Sequence, residues 1–246
     1  MRYRATLAYD GTAYHGFQRQ ANAPTVQGRV EAALERIGGR AVTLIGAGRT
    51  DAGVHATGQV IAFDLDWRHA PEALCRALNA NLPPDIAVRG VQEAAPGFHP
   101  RYDARSRSYE YRLYVAPVRD PLRRWWAWHL DRPLNVPAMQ QAARHLVGTR
   151  DFGTFGSPPQ GENAVRTVFE ARWEDGPGQE HVFTIVADAF LYRMVRTIVA
   201  TLVEVGQGRM TPEVFGEVLA ACERGRAAPP APPYGLTLVA VNYGED

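Results

Sequence analysis

The stretch "IGAGRTDAGVHATGQ", residues 45–59, decides how the chain is read. Its four glycines with Arg49, Asp51 and His55 have the composition of a loop. On one side "AVTLI" (41–45) reads as a strand, and on the other "GQVIAFDL" (58–65) reads as a second. A glycine-rich turn clamped at both ends by sheet can hold one side chain rigidly. The residue in that position is Asp51.

Working outward, "RYRATLAYD" alternates as a strand and ends in the turn "DGT". Thr25 is placed to cap a helix whose apolar residues Val26, Val30, Ala33, Leu34 and Ile37 share one face, with Gly38-Gly39 as its stop. Pro71 starts a short helix through Leu78, and "DIAVRGV" closes a β-α-β-β-α-β order. After "SRSYEYRLYVAP", Asn135 or Pro137 starts a helix through Leu146. "VRTVFEARWE" and "HVFTIVADAF" read as strands. Leu191, Met194, Val195, Ile198, Val199, Leu202 and Val203 then form the strongest apolar stripe in the chain. Thr211-Pro212 opens a helix to about Arg224, and "GLTLVAV" is a last strand. This pattern predicts an α+β fold: two related lobes, 1–104 and 105–246, each with a mostly antiparallel mixed sheet flanked by helices, and an active-site cleft between them.

At 246 residues and 46% hydrophobic, the chain can bury a full core. No run approaches the ~20 apolar residues of a membrane span, and the N-terminus enters a strand pattern at once, so a cytoplasmic protein without membrane contact is expected. Cys75 and Cys222 form no CxxC, and the seven histidines show no ligand spacing. No metal is expected. The net charge is only +1, yet all 27 basic residues are arginine, which suits phosphate and carboxylate. Between 101 and 124, seven arginines face three acidic residues, with Tyr102, Tyr109, Tyr111 and Tyr114 interleaved. Such a mixture suits nucleic acid, and equally a solvated arginine face over a tyrosine-rich core.

Three readings of Asp51 compete. Asp before Ala-Gly is ordinary turn chemistry. Phosphate binding fails on spacing, because Asp51 stands where the third glycine of GxGxxG belongs and no GK[ST] follows. The third reading is catalysis by a single carboxylate, with Arg49 offering a cation two residues away. No second acidic residue has a comparable setting, which disfavours an ordinary glycosidase, and no Ser/His/Asp order or cofactor fingerprint stands out. What remains is covalent or electrostatic help from one Asp where arginines and aromatics bind the substrate.

Seven segments carry a family resemblance: "YDGTAYHGFQRQ" (9–20), "AGRTDAGVHATGQV" (47–60), "NANLPPDIAV" (79–88), "RSRSYEYRLY" (105–114), "DFGTF" (151–155), "ADAFLYRMVRTIVATLVEVG" (187–206) and "GLTLVAV" (235–241). Together, in order along nearly the whole chain, they resemble the tRNA pseudouridine synthase A family. GRTDxGVH is their most specific element.

The resemblance implies a homodimer that isomerises uridines 38, 39 and 40 in the anticodon stem-loop of tRNA, without cofactor. It implies Asp51 as nucleophile, Tyr109 stacking on the target base, Arg196 pairing with the Asp, Arg49 helping to extrude the uridine, and Leu238 lining the pocket. Independently, a uracil inside a stem must leave the stack to reach any carboxylate, and an aromatic ring would offset part of that cost. Tyr109 also alternates with Tyr111 and Leu113 and could be core. Whether the carboxylate attacks C6 of uracil or acts at C1′ is open in the sequence. One departure is Phe17, where the family often has Trp; the ring is kept, as tolerated packing, and the indole donor is lost. A binding module without chemistry is the competing class, against which a carboxylate facing a polyanion argues.

Overall fold

In this computed structural model, which describes residues 1–158 and 161–244, the elements follow in the order β1 (Arg2–Tyr9), α1 (Val26–Gly38), β2 (Leu44–Gly46), β3 (His55–Asp64), α2 (Pro71–Asn81) and β4 (Ile86–Glu93). They continue as β5 (Ser106–Val115), β6 (Trp128–Leu130), α3 (Val136–Ala143) with a 3-10 turn at Arg144–Leu146, β7 (Gly148–Asp151), β8 (Val165–Asp175) and β9 (Glu180–Ala187). The chain closes with α4 (Met194–Gly206), α5 (Pro212–Ala220), a 3-10 turn at Pro233–Gly235 and β10 (Leu236–Asn242). The α+β class and the mostly antiparallel pairing follow the sequence reading.

Two compact units form. The first is Met1–Arg105 together with the stretch from Thr237 onward; the second is Ser106–Leu236. The last strand therefore belongs to the first unit and not, as the sequence suggested, to the second. Its reason is a pairing no local pattern encodes: Thr237 and Leu238 lie parallel to His55 and Ala56 of β3.

In the first unit, β1 pairs antiparallel with β3 on one side and β4 on the other, while β2 pairs with β3. Tyr3, Ala5, Leu7 and Tyr9 face inward from β1, and Val26, Val30, Ala33 and Leu34 of α1 are buried. Thr25 caps α1 by accepting from Gly28 N–H, and Gly39 closes it in the left-handed region at φ 69°. In the second unit, β9 lies antiparallel between β5 and β8, β7 pairs with β8, and β6 runs parallel to β5. Helix α4 is buried along nearly its whole length, as its stripe predicts, and packs on α3 and α5. It starts at Met194 and not at Leu191, and α5 stops at Ala220 because the chain turns left-handed at Cys222. Strands β6 and β7 were not anticipated; at three and four residues they are too short to show a period. Among the described residues no helix is long and apolar enough to cross a membrane, and no group of three or more His, Cys, Asp or Glu could hold a metal ion.

Candidate active site

Asp51 sits at the first position of a tight turn. Its carbonyl accepts from Val54 N–H at 3.1 Å, and Gly53 takes φ +77°, which a type II turn requires at its third position. The turn is short because β3 begins at His55, so the loop proper is narrower than 45–59 suggested. Gly58 lies inside that strand. A Cβ there would collide with the Val239 carbonyl of β10, so this glycine serves a close backbone approach and not a bend.

The segment between β1 and α1 straps the Asp51 turn from outside. Phe17 N–H donates to Thr50 O at 3.0 Å, and Gly53 N–H donates to Tyr14 O at 3.3 Å. Gly16, at φ +95°, packs so closely that a Cβ would lie 2.7 Å from the Thr50 carbonyl oxygen. Phe17 is buried against Gly46 and 6.2 Å from the Tyr9 ring, so its ring serves packing. From within the sheet, Tyr9 Oη lies 2.8 Å from Thr50 Oγ1, and the Gln59 side-chain amide donates to Gly48 O at 2.9 Å. Burial pushes the Tyr9 phenol up to about 12, against weaker opposing bonds from Thr50 and Gln59. Buried His55 lies with Nδ1 3.0 Å from Gly11 N and 3.2 Å from Asp10 Oδ1, which ties the turn after β1 to the start of β3. Thus the motifs at 9–20 and 47–60, read separately in the sequence, form one hydrogen-bonded body around the half-exposed Asp51.

The other expected site residues divide between the units. Leu238 is fully buried in the first unit, opposite Ala56 on the strand that leaves the Asp51 turn. Arg49 is exposed and forms no ion pair of its own among the described residues.

In the second unit, Tyr109 is 8% exposed on β5, and its ring meets Phe190 edge-on at 5.0 Å. Half-buried Arg196 donates from Nε to Ala231 O at 2.7 Å and accepts Ala231 N–H on its own carbonyl at 3.1 Å, a reciprocal clamp on the proline-rich loop before β10. Tyr111, whose phenol is pushed well above its ordinary range by burial, donates to Pro232 O in the same loop.

The sequence reading did not single out Tyr9, Gly16, His55 or Gln59 for the Asp51 turn, nor Arg107 and Phe190 beside Tyr109. Arg107 had a legible signal: it occupies the inward face of β5 with Tyr109 and Tyr111, where an arginine is out of place. It is buried and donates to Asp188 O at 2.7 Å. The linear arginine excess also resolves. Arg112 pairs with Glu110 and Glu180, and Arg123 with Asp120, while Arg119 and Arg124 are exposed without an acidic partner among the described residues.

Comparison with known proteins places this architecture. A family described as tRNA pseudouridine synthase matches residues 5–103 and 142–244. The tRNA pseudouridine synthase A of Brevibacillus brevis is 47% identical over 243 residues, covering 98% of this chain and 99% of that protein. The protein of the same name from Moorella thermoacetica is 47% identical over 245 residues, covering 98% of each chain. The one from Myxococcus xanthus is 45% identical over 243 residues, covering 98% of this chain and 92% of that one. The chain belongs to the tRNA pseudouridine synthase family, isomerases that convert uridine in tRNA to pseudouridine.

Proposed function

We propose that this enzyme modifies uridines 38, 39 and 40 of the tRNA anticodon stem-loop with Asp51 as its nucleophile. The observation that carries the reading is the rigidity of the Asp51 turn. Phe17 N–H holds the Thr50 carbonyl, Gly16 packs against it, Tyr9 holds the Thr50 hydroxyl and Gln59 the Gly48 carbonyl, and such fixing of the segment that leads into Asp51 is what a single carboxylate needs to meet a base at one geometry. The reaction balances within the substrate: the C1′–N1 bond breaks, a C1′–C5 bond forms, the proton leaves C5 and N1 gains one. No oxidant, reductant or cofactor enters that balance.

The remaining roles rest on the family motifs. Tyr109 provides the ring on which the flipped uracil stacks, and Arg196 is the cation of the MVR motif. Arg49, exposed at the mouth of the turn, assists extrusion of the nucleotide, and Leu238 supports the pocket floor beside Ala56. Exposed arginines such as Arg119 and Arg124 meet phosphates, so recognition is mainly of shape and backbone. The working form is a homodimer in the cytoplasm.

Carbodiimide adduct mapping by primer extension on unmodified tRNA, with no metal or cofactor added, tests the site assignment. Stops at 38, 39 and 40 are expected. Stops confined to another arm would refute it, and sedimentation at the mass of a single chain would refute the dimer.

A further inference from the structure

Helix α4 begins in a conformation that its sequence does not favour. Arg193, its N-cap, has φ +63°, a left-handed backbone costly for any residue with a Cβ and filled more readily by Gly or Asn. N-caps are ordinarily extended, as Thr25 and Thr211 are here. The other non-glycine residues with positive φ, Gln179 and Cys222, lie in a hairpin connection and just past a helix end, where such backbone is common.

The structure over-determines this turn. Tyr192 N–H donates to Ser157 O at 2.9 Å and Met194 N–H to Leu191 O at 3.2 Å. The Arg193 carbonyl accepts from both the N–H and the hydroxyl of Thr197, at 3.0 and 3.1 Å. Gly156 closes it from the far side, since a Cβ there would lie 2.7 Å from the Tyr192 carbonyl oxygen.

What the strained backbone yields is at the surface. The Arg193 guanidinium carbon lies 4.8 Å from the centre of the Tyr192 ring, and both side chains are exposed, Tyr192 by 51%. Arg193 forms no ion pair among the described residues, and Arg196 of the MVR motif stands three residues further on. An exposed phenol and an unneutralised guanidinium, stacked and held by a costly turn, have no evident task in the packing of the unit. Backbone strain of this kind persists where function uses it.

We propose that Tyr192 and Arg193 form a tRNA-binding platform, in which the guanidinium meets a backbone phosphate and the uncovered face of the tyrosine ring stacks on an unpaired base. This rests on the reading of Arg196 as a residue of the tRNA site.

The strain supplies its own test through Arg193→Gly, which removes the charge and relaxes the backbone together. The expected result is a melting temperature equal to or above wild type, with KM for tRNA raised on the order of tenfold and the single-turnover rate at saturating tRNA retained. The slope of log affinity against log salt should fall by about 1. Tyr192→Ala should raise KM with the salt slope kept, because stacking releases no counterion. Wild-type KM and salt slope in both variants, with wild-type enzyme forming pseudouridine in the same assay, would overturn the platform. Absence of pseudouridine from the wild-type reaction would instead overturn the functional reading beneath it.

Discussion

The phenol oxygen of Tyr9 lies 2.8 Å from the hydroxyl of Thr50, the residue before Asp51, with both side chains buried. Tyr9 closes β1 and Thr50 enters the turn, so one side-chain hydrogen bond ties this strand to the residue that precedes the carboxylate. Tyr9→Phe should therefore lower kcat with KM for tRNA little changed, and cost about 1 kcal/mol of stability. Its signature is alkaline. The folded pKa, about 12, exceeds the ordinary 10.0, so folding favours the protonated phenol. That contribution is complete below pH 10 and is lost as pH rises from 10 through 12, a change of about 2–3 kcal/mol. Denaturation of wild type and Tyr9→Phe across that window should show the variant with the shallower decline; parallel declines would contradict the assignment.

Gly16→Ala combines two faults, a Cβ at φ +95° and a contact 2.7 Å from the Thr50 carbonyl oxygen. The strap must shift, and the Asp51 turn with it. A loss of about 1–2 kcal/mol in stability is expected. The fall in kcat should be larger in proportion, on the order of 100-fold. Urea denaturation beside single-turnover kinetics checks this, and a variant that unfolds more easily yet turns over normally would contradict the strap's role.

Arg196→Ala leaves the Ala231 carbonyl without its 2.7 Å donor and removes the MVR cation. Turnover should fall by on the order of 100-fold or more. Arg196→Lys should not restore it, because an ammonium cannot reproduce the in-line Nε bond. Single-turnover rates for both variants decide the point, and wild-type turnover in Arg196→Ala would remove this residue from the mechanism.

Thr25→Ala is the contrasting case. It deletes the α1 cap bond to Gly28 N–H and should cost about 1 kcal/mol. Its single-turnover rate, measured well below the melting temperature, should stay at the wild-type value, because the strap's bonds to the Asp51 turn use other residues.

Much of the fold was legible where the signal is local. The Thr25 cap, the Gly39 stop and the α4 stripe each follow from a few neighbouring residues and appear as read. What escaped depends on partners distant in sequence. Leu238 joins the first unit by pairing with Ala56, and nothing within "GLTLVAV" states that. Gly58 gave no reason for its missing side chain, because the backbone that forbids one, at Val239, lies far along the chain. For the site, Asp51 stood out by its clamped setting, whereas Tyr9 and Gly16 read as strand and turn residues until folding brought them against Thr50.

The most direct test of Asp51 as the nucleophile is single-turnover pseudouridine formation on unmodified tRNA by wild type and Asp51→Asn, with tRNA affinity measured on the same preparations. Asn keeps the size of the side chain and removes the charge. Pseudouridine is expected with wild type, none with Asp51→Asn, and tRNA binding by both. Pseudouridine at a wild-type rate from Asp51→Asn would contradict that role.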